Sequence, residues 1–282
     1  MADRPGDFFM MLGVWGDFSW GSLASLFAVA VTAGCIDAIA GGGGLLCVPT
    51  LLWAGLSPAA TLATNKLQGS FGTFSATLHF VRAGAVEPLR LAPTILSVFG
   101  GAIAGTLLVQ TLDPGFLRTV LPLMLVGIAA YFLLSPRIGE EDRHQRLSLT
   151  AFTLSVAPAI GFYDGFFGPG TGSFFAIALV ALLGYNLTKA TAHTKLLNLT
   201  SNIASLLAFL LGGKIVWSAG LVMAAGQFFG ARLGSHLVLT RGAGLVRPLL
   251  VVMSLAITAR LVAADTGSGL HRLTEFLWRR AF

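Results

Sequence analysis

Gly34-Cys35-Ile36-Asp37-Ala38-Ile39-Ala40-Gly41-Gly42-Gly43-Gly44 closes one apolar run and opens another. Upstream, residues 21–40 have the length of about 20 mostly apolar residues that a helix needs to cross a hydrocarbon core. Downstream, residues 45–54 are as apolar but half as long. Consecutive glycines favour unwound backbone. The N–H and C=O groups freed there are tolerated at membrane depth only when buried in protein or facing a wet cavity. The stretch therefore predicts a spanning helix followed by a Gly-rich broken or re-entrant half-helix, with a carboxylate, Asp37, beside the break.

The rest of the 282-residue chain agrees: 55% of its residues are hydrophobic, 11% are charged, and the mean hydropathy is +0.81. A soluble domain needs about 25% charged residues to keep its surface wet. A transmembrane barrel would alternate polar and apolar residues in segments of about ten, whereas runs such as 91–109 and 121–134 are continuous. The fold class is an all-α membrane protein. The net charge of +6 and pI near 9.9 come mainly from short loops and the C-terminus. They fit membrane orientation better than nucleic acid, and no nucleic-acid partner is expected. Cys35 and Cys47 lie in apolar stretches and suggest neither a disulfide framework nor a metal site. Thr32-Ala33-Gly34-Cys35 has a faint likeness to a lipoprotein cleavage site, but Asp3, Asp7 and Asp17 against Arg4 are the wrong charge for a signal peptide. The first run is therefore kept as a helix, and no attached soluble domain is expected.

About eight spans follow: 21–40, 62–81, 91–109, 116–134, 149–167, 190–211, 216–237 and 245–263, the last with Arg247 and Arg260 near its ends. Short apolar pieces, 45–54 and 174–183, follow the first and fifth spans. They are too short to span and read as half-helices. This divides the chain into an N-terminal segment (1–20), a first transmembrane repeat (21–134), a charged loop (135–148), a second repeat (149–264) and a polar, amphipathic tail (265–282). The distribution of Lys and Arg among the loops places the charged loop, the tail and both termini in the cytoplasm.

The chain repeats itself. Gly34–Gly43 aligns with Gly161-Phe162-Tyr163-Asp164-Gly165-Phe166-Phe167-Gly168-Pro169-Gly170, with the aspartates at an offset of 127. Ala63-Thr64-Asn65-Lys66-Leu67 aligns with Ala192-His193-Thr194-Lys195-Leu196 at an offset of 129, and Gly101-xxx-Gly105 with Gly226-xxx-Gly230 at 125. Three anchors in one order at nearly one offset mark two homologous halves, as in many secondary transporters. Four spans per half make the repeats parallel. Counting each half-helix as a crossing makes them inverted, and both remain open.

Candidate site residues fall in the repeated motifs. The breaks supply Gly42, Gly43 and Gly44, and Gly170, Thr171 and Gly172. A half-helix starting there turns its N-terminal N–H groups and positive dipole end into a cavity, a cradle for an anion. Asp37 and Asp164 are intramembrane carboxylates costing about 2.5–3.5 kcal/mol each on insertion scales, so each needs a partner or a role. They can cap the half-helices, carry a coupled proton, or pair structurally with Lys66 or Lys195. Lys66 and Lys195 either snorkel to the interface or supply countercharge inside polar stripes. Lys195, Asn198 and Asn202 share one helical face, and so do Lys66, Ser70 and Thr73, with Asn65 beside Lys66. His193 is a proton switch or a histidine bonded to a neighbouring helix. Arg232, beside Gly230, faces substrate or headgroups. No catalytic residue, metal cluster, phosphate loop or nucleophile elbow is present in the sequence, so no enzyme activity and no cofactor are expected.

These residues resemble a known family. Gly34–Gly44, Ala63-Thr64-Asn65-Lys66-Leu67-Gln68, Gly161–Gly172, Lys189–Asn198, Thr200-Ser201-Asn202 and Gly139-Glu140-Glu141-Asp142-Arg143 look like the TauE/SafE sulfite-exporter family in its YfcA-type branch, over nearly the whole chain. The resemblance implies a multi-pass transporter of the bacterial inner membrane that exports a small anion, with sulfite or a sulfonate as the class. The partners expected are that anion and the lipid bilayer, with homo-oligomerisation open. The alternatives are an uncoupled channel or uniporter, and a membrane scaffold without transport activity.

Overall fold

A computed structural model describes residues 18–134 and 145–241. The eighth span, the tail and most of the N-terminal segment and charged loop lie outside the described residues. Ten α-helices are described. In the first half they are α1 (Trp20–Ala40), α2 (Gly43–Trp53), α3 (Pro58–Arg82), α4 (Ala92–Thr111), entered through a 3-10 turn at Pro88–Leu91, and α5 (Pro114–Leu134). In the second they are α6 (Leu149–Leu154), α7 (Val156–Phe166), α8 (Thr171–Leu183), α9 (Leu187–Gly212) and α10 (Trp217–Arg241).

Local chemistry sets the boundaries. Ser57 caps α3, its hydroxyl accepting from the Ala60 N–H at 3.3 Å, and Pro58 follows at the first helical position. Asn186 caps α9 at the same repeat offset, accepting from the Lys189 N–H at 2.9 Å. Such caps satisfy donors that the first turn leaves free. Gly41, at φ +80°, ends α1 in the left-handed conformation that glycine adopts without strain, and its N–H bonds the Asp37 carbonyl at 2.8 Å.

One expected element is corrected. Residues 149–167 form two helices, α6 and α7, separated at Ser155 (φ −123°, ψ −68°). Pro158 has no N–H for the Leu154 carbonyl, and its ring would meet that carbonyl in a continuous helix.

Among the described residues, three elements are long and apolar enough to cross a membrane: Trp20–Ala40, Pro88–Thr111 and Leu187–Gly212. α3 and α10, at 25 residues each, are long enough, about 37 Å at 1.5 Å per residue, but more polar. Their polar groups turn inward: Thr64, Asn65, Lys66, Gln68 and Gln227 are all buried. Large apolar side chains such as Trp53, Leu96 and Leu211 are exposed. Polar inside and apolar outside suits a chain solvated by lipid.

The two halves interlock. The most extensive contact sets α1 of the first half against α10 of the second, and α4 of the first half packs on α7 of the second in the same way. Small residues make both crossings. A Cβ on Gly226 would lie 2.7 Å from the Phe27 carbonyl oxygen, and one on Gly230 or Gly234 would collide with the carbonyls of Val31 or Cys35. At the other crossing, Gly101 and Gly105 meet the carbonyls of Pro158 and Phe162, while Gly161 and Gly165 meet those of Val98 and Ala102. Such stripes let helix backbones approach closely in a membrane. α3 and α9, which carry the polar stripes, pack together between these crossings.

Candidate functional site

The interlock brings the two breaks into backbone contact. A Cβ on Gly172 would lie 2.5 Å from the Gly41 Cα, and one on Gly44 would lie 3.1 Å from the Pro169 Cα. The Ser173 hydroxyl donates to the Ala40 carbonyl at 2.6 Å, tying α8 to the end of α1. Only glycine fits at 41 and 172, because any side chain would strike the opposite break.

Each break is held differently. In the first, the Asp37 carboxylate reaches across the gap and its Oδ1 accepts from the Gly43 N–H at 3.1 Å, capping α2. In the second, Gly168 and Gly170 both have positive φ, +96° and +85°. There the Thr171 hydroxyl donates to the Gly168 carbonyl at 2.7 Å and the Tyr163 hydroxyl to the Pro169 carbonyl at 2.6 Å.

The charged residues pair between halves. Lys195 Nζ of α9 donates to Asp37 Oδ2 of α1 at 2.9 Å, and Lys66 Nζ of α3 to Asp164 Oδ1 of α7 at 2.8 Å. Lys66, Lys195 and Asp164 are 1–2% exposed and Asp37 15%. Burial of three charges, with Asp37 largely covered, is tolerable only because each is paired. Lys66 also donates to Asn202 Oδ1 at 3.3 Å, and Asn202 Nδ2 to Asn198 Oδ1 at 3.4 Å. The pairs sum to no net charge.

A small cavity lies among these groups, with about 30 Å³ of free volume, room for about two waters. The breaks line it with Gly41, Gly44, Gly168, Gly170 and Gly172, and both carboxylates face it. α3 adds Asn65, Gly69 and Thr73, α9 adds Asn198 and Asn202, and α10 adds Gln227. Both half-helices begin at this cavity, so free N–H groups and two positive dipole ends lie at its edge.

The expected site residues divide accordingly. Gly44, Asn65, Gly170, Gly172, Asn198, Asn202, Asp37 and Asp164 line one cavity. Gly42, Gly43 and Thr171 sit at the half-helix starts beside it. The lysine ammonium groups are engaged by the carboxylates. His193 is placed elsewhere: its ring Nδ1 meets the Lys189 carbonyl at 2.8 Å, and its ring packs edge-on to Tyr185 at 4.9 Å. Arg232 meets the His79 ring and also stands apart from the cavity lining. Sequence reasoning gave Gln227 no role, yet it lines the cavity and donates to Cys47 Sγ at 3.3 Å. Its signal was an amide in an otherwise apolar span, one residue from the repeated Gly-xxx-Gly. Among the described residues no group of His, Cys, Asp and Glu could hold a metal ion.

The family described as "Sulfite exporter TauE/SafE" matches residues 26–261. The chain is 52% identical to the "Probable membrane transporter protein YfcA" of Escherichia coli (strain K12) over 245 residues, 87% of this chain and 91% of that protein. It is 51% identical to a "Probable membrane transporter protein" of Haemophilus influenzae over 240 residues, 85% of this chain and 94% of that one. At 20% identity over 239 residues, 76% of this chain and 88% of the relative, it is also similar to the "Probable membrane transporter protein YunE" of Bacillus subtilis (strain 168). No solved structure matches the chain significantly.

Proposed function

The chain belongs to the sulfite exporter TauE/SafE family, and from that membership we propose that it is a proton-coupled secondary transporter carrying a small anion, of the sulfite or sulfonate class, across the bacterial inner membrane. The observation that carries this reading is the cavity at which both half-helices begin, bounded by two carboxylate–lysine pairs that each join one half to the other. Half-helix N-termini at the interface of repeats favour anionic groups. The oxygens of a small oxyanion would accept from the N–H groups at Gly42 and Gly44 on one side and Gly170 and Gly172 on the other, the Gly43 N–H being held by Asp37 and the Thr171 N–H by the Gly168 carbonyl. Asn65, Asn198, Asn202 and Gln227 add amide donors.

With its four charges balanced, the site gains net positive charge when a carboxylate takes a proton. Its lysine then supplies countercharge to the anion, so anion and proton bind together. The ion pairs cross between halves, so breaking and reforming them accompanies any rocking of one half against the other. In this reading the protein is eight spans in two homologous halves, 21–134 and 149–264, with residues 135–148, the tail 265–282 and both termini cytoplasmic.

The test is flux of radiolabelled sulfite, thiosulfate and sulfoacetate in proteoliposomes, with and without an imposed pH gradient. Gradient-accelerated flux of one of them is the expected result. Flux indifferent to the gradient would make the protein an uncoupled channel or uniporter. No flux of any from folded protein would replace the transporter by a membrane scaffold.

A further inference from the structure

The sequence repeat makes Asp37 and Asp164 equivalents, but their surroundings differ. Asp37 has both oxygens engaged: Oδ1 accepts from the Gly43 N–H at 3.1 Å and Oδ2 from Lys195 at 2.9 Å. Asp164 Oδ1 accepts from Lys66 at 2.8 Å, while its Oδ2 is buried with no hydrogen-bond partner. Asp164 is 2% exposed and lines the cavity. The second break does not use it, being held by Thr171 and Tyr163.

Resting on the proton-coupled reading above, we propose that Asp164, and not Asp37, accepts the coupling proton, on Oδ2. A carboxylate oxygen with no donor is a poor place for negative charge in a low-dielectric interior and an open place for a proton. The step is the addition of one proton to the carboxylate: an O–H bond forms at Oδ2 and no other covalent bond of the protein changes. Oδ1 remains an acceptor for Lys66, which is also held by Asn202 at 3.3 Å. The pair passes from zero to a net charge of one and draws in one anion. Loss of the proton to the other side returns the pair to neutrality and releases the anion.

The charges facing Asp164 permit this. Lys66 comes from α3, and across the cavity Asp37 of α1 is engaged by Lys195 of α9. The remaining ionisable groups of α9, Lys189 and His193, meet Tyr185 instead. α4, α6 and α8, also packed on α7, carry no ionisable side chain apart from the alcohols of Ser and Thr. On α7 itself, Tyr163 is committed to Pro169. Asp37 lacks the open oxygen. Neutralising it would weaken the cap on α2, so its work is to fix the first break and hold Lys195.

The experiment uses the full-length protein in proteoliposomes and reads the ratio of labelled sulfite, thiosulfate or sulfoacetate flux with and without a pH gradient, alongside exchange at no gradient. Asp164→Asn is expected to exchange more slowly at no gradient and to lose all acceleration by the gradient. Asp37→Asn is expected to be slower in both assays with the ratio kept. Acceleration surviving in Asp164→Asn, acceleration lost in Asp37→Asn alone, or driving by a sodium gradient in place of protons would each overturn the proposal.

Absence of exchange in the wild-type protein would instead remove the transporter reading. The proton site is then decided by infrared difference spectra of purified protein as the pH is lowered. A carboxylic-acid carbonyl band present in the wild type and in Asp37→Asn, and missing from Asp164→Asn, upholds it. A band that survives in Asp164→Asn overturns it. If Asp164→Asn does not fold, Asp164→Asn combined with Lys66→Gln carries the spectroscopic test, because it leaves no lone buried charge.

Discussion

Removing Lys66 tests the architecture of the site most directly. Lys66 and Asp164 are 1% and 2% exposed and 2.8 Å apart. Deleting one member of a buried pair costs about 3–5 kcal/mol, because the other charge stays buried without compensation. Lys66→Gln falls at the upper end, about 5 kcal/mol, since Asp164 Oδ2 already has no partner and Oδ1 would lose its own. Lys195→Gln falls near the lower end, about 3 kcal/mol, because Asp37 is 15% exposed to the cavity and keeps the Gly43 N–H. Combining Lys66→Gln with Asp164→Asn removes both charges and is expected to cost less than the two single changes summed, by a coupling energy of about 3 kcal/mol. Equilibrium unfolding of purified protein in mixed micelles, followed by tryptophan fluorescence, measures all four. A loss of about 1 kcal/mol or less for Lys66→Gln, with the two single changes simply adding, would put the pair among weak exposed bridges and refute the reasoning.

Further outcomes follow from the packing and the cavity. Gly230→Ala drives a methyl group into the Val31 carbonyl and is expected to cost about 1–3 kcal/mol as an overpacked interface. Gly100→Ala, with open space at its Cβ, gains up to about 1 kcal/mol of helix propensity, and the same micelle unfolding compares them. Asn202→Ala withdraws an acceptor from Lys66 and a wall of the cavity. It is expected to raise the KM for the transported anion by about tenfold, equivalent to about 1.4 kcal/mol, in proteoliposome flux. Gln227→Leu, which deletes a polar cavity group while filling much of its volume, is expected to raise KM similarly with little change in thermal stability, read by flux and by melting in detergent.

Much of this molecule is legible in short stretches of sequence. The first helix was expected over 21–40 and runs from Trp20 to Ala40, and both half-helices begin within their glycine clusters. Apolar length, caps and glycine or proline punctuation act over a few residues, so a local reading reaches them. The division of 149–167 was readable in the same way, since Pro158 forbids a continuous hydrogen-bond ladder, but apolarity across the run outweighed that signal. Candidate residues such as Asn65, Asn198 and Asn202 were found because amides inside apolar spans are costly enough to require a use.

Partner choice was beyond that reading. A duplicated Asp–Gly–Lys pattern satisfies local chemistry equally well whether Asp37 meets Lys66 or Lys195. The structure pairs it with Lys195 because α1 lies on α10 and α7 on α4, glycine stripes against backbone, which carries each carboxylate into the other half. The same interlock turns His193 toward Tyr185, brings Gln227 to the cavity, and leaves one carboxylate with a free oxygen where the repeat has two alike. Helices and breaks are decided by residues near each other in the chain. Pairing and asymmetry depend on which helix faces can approach closest, and only the folded packing of the two halves decides that.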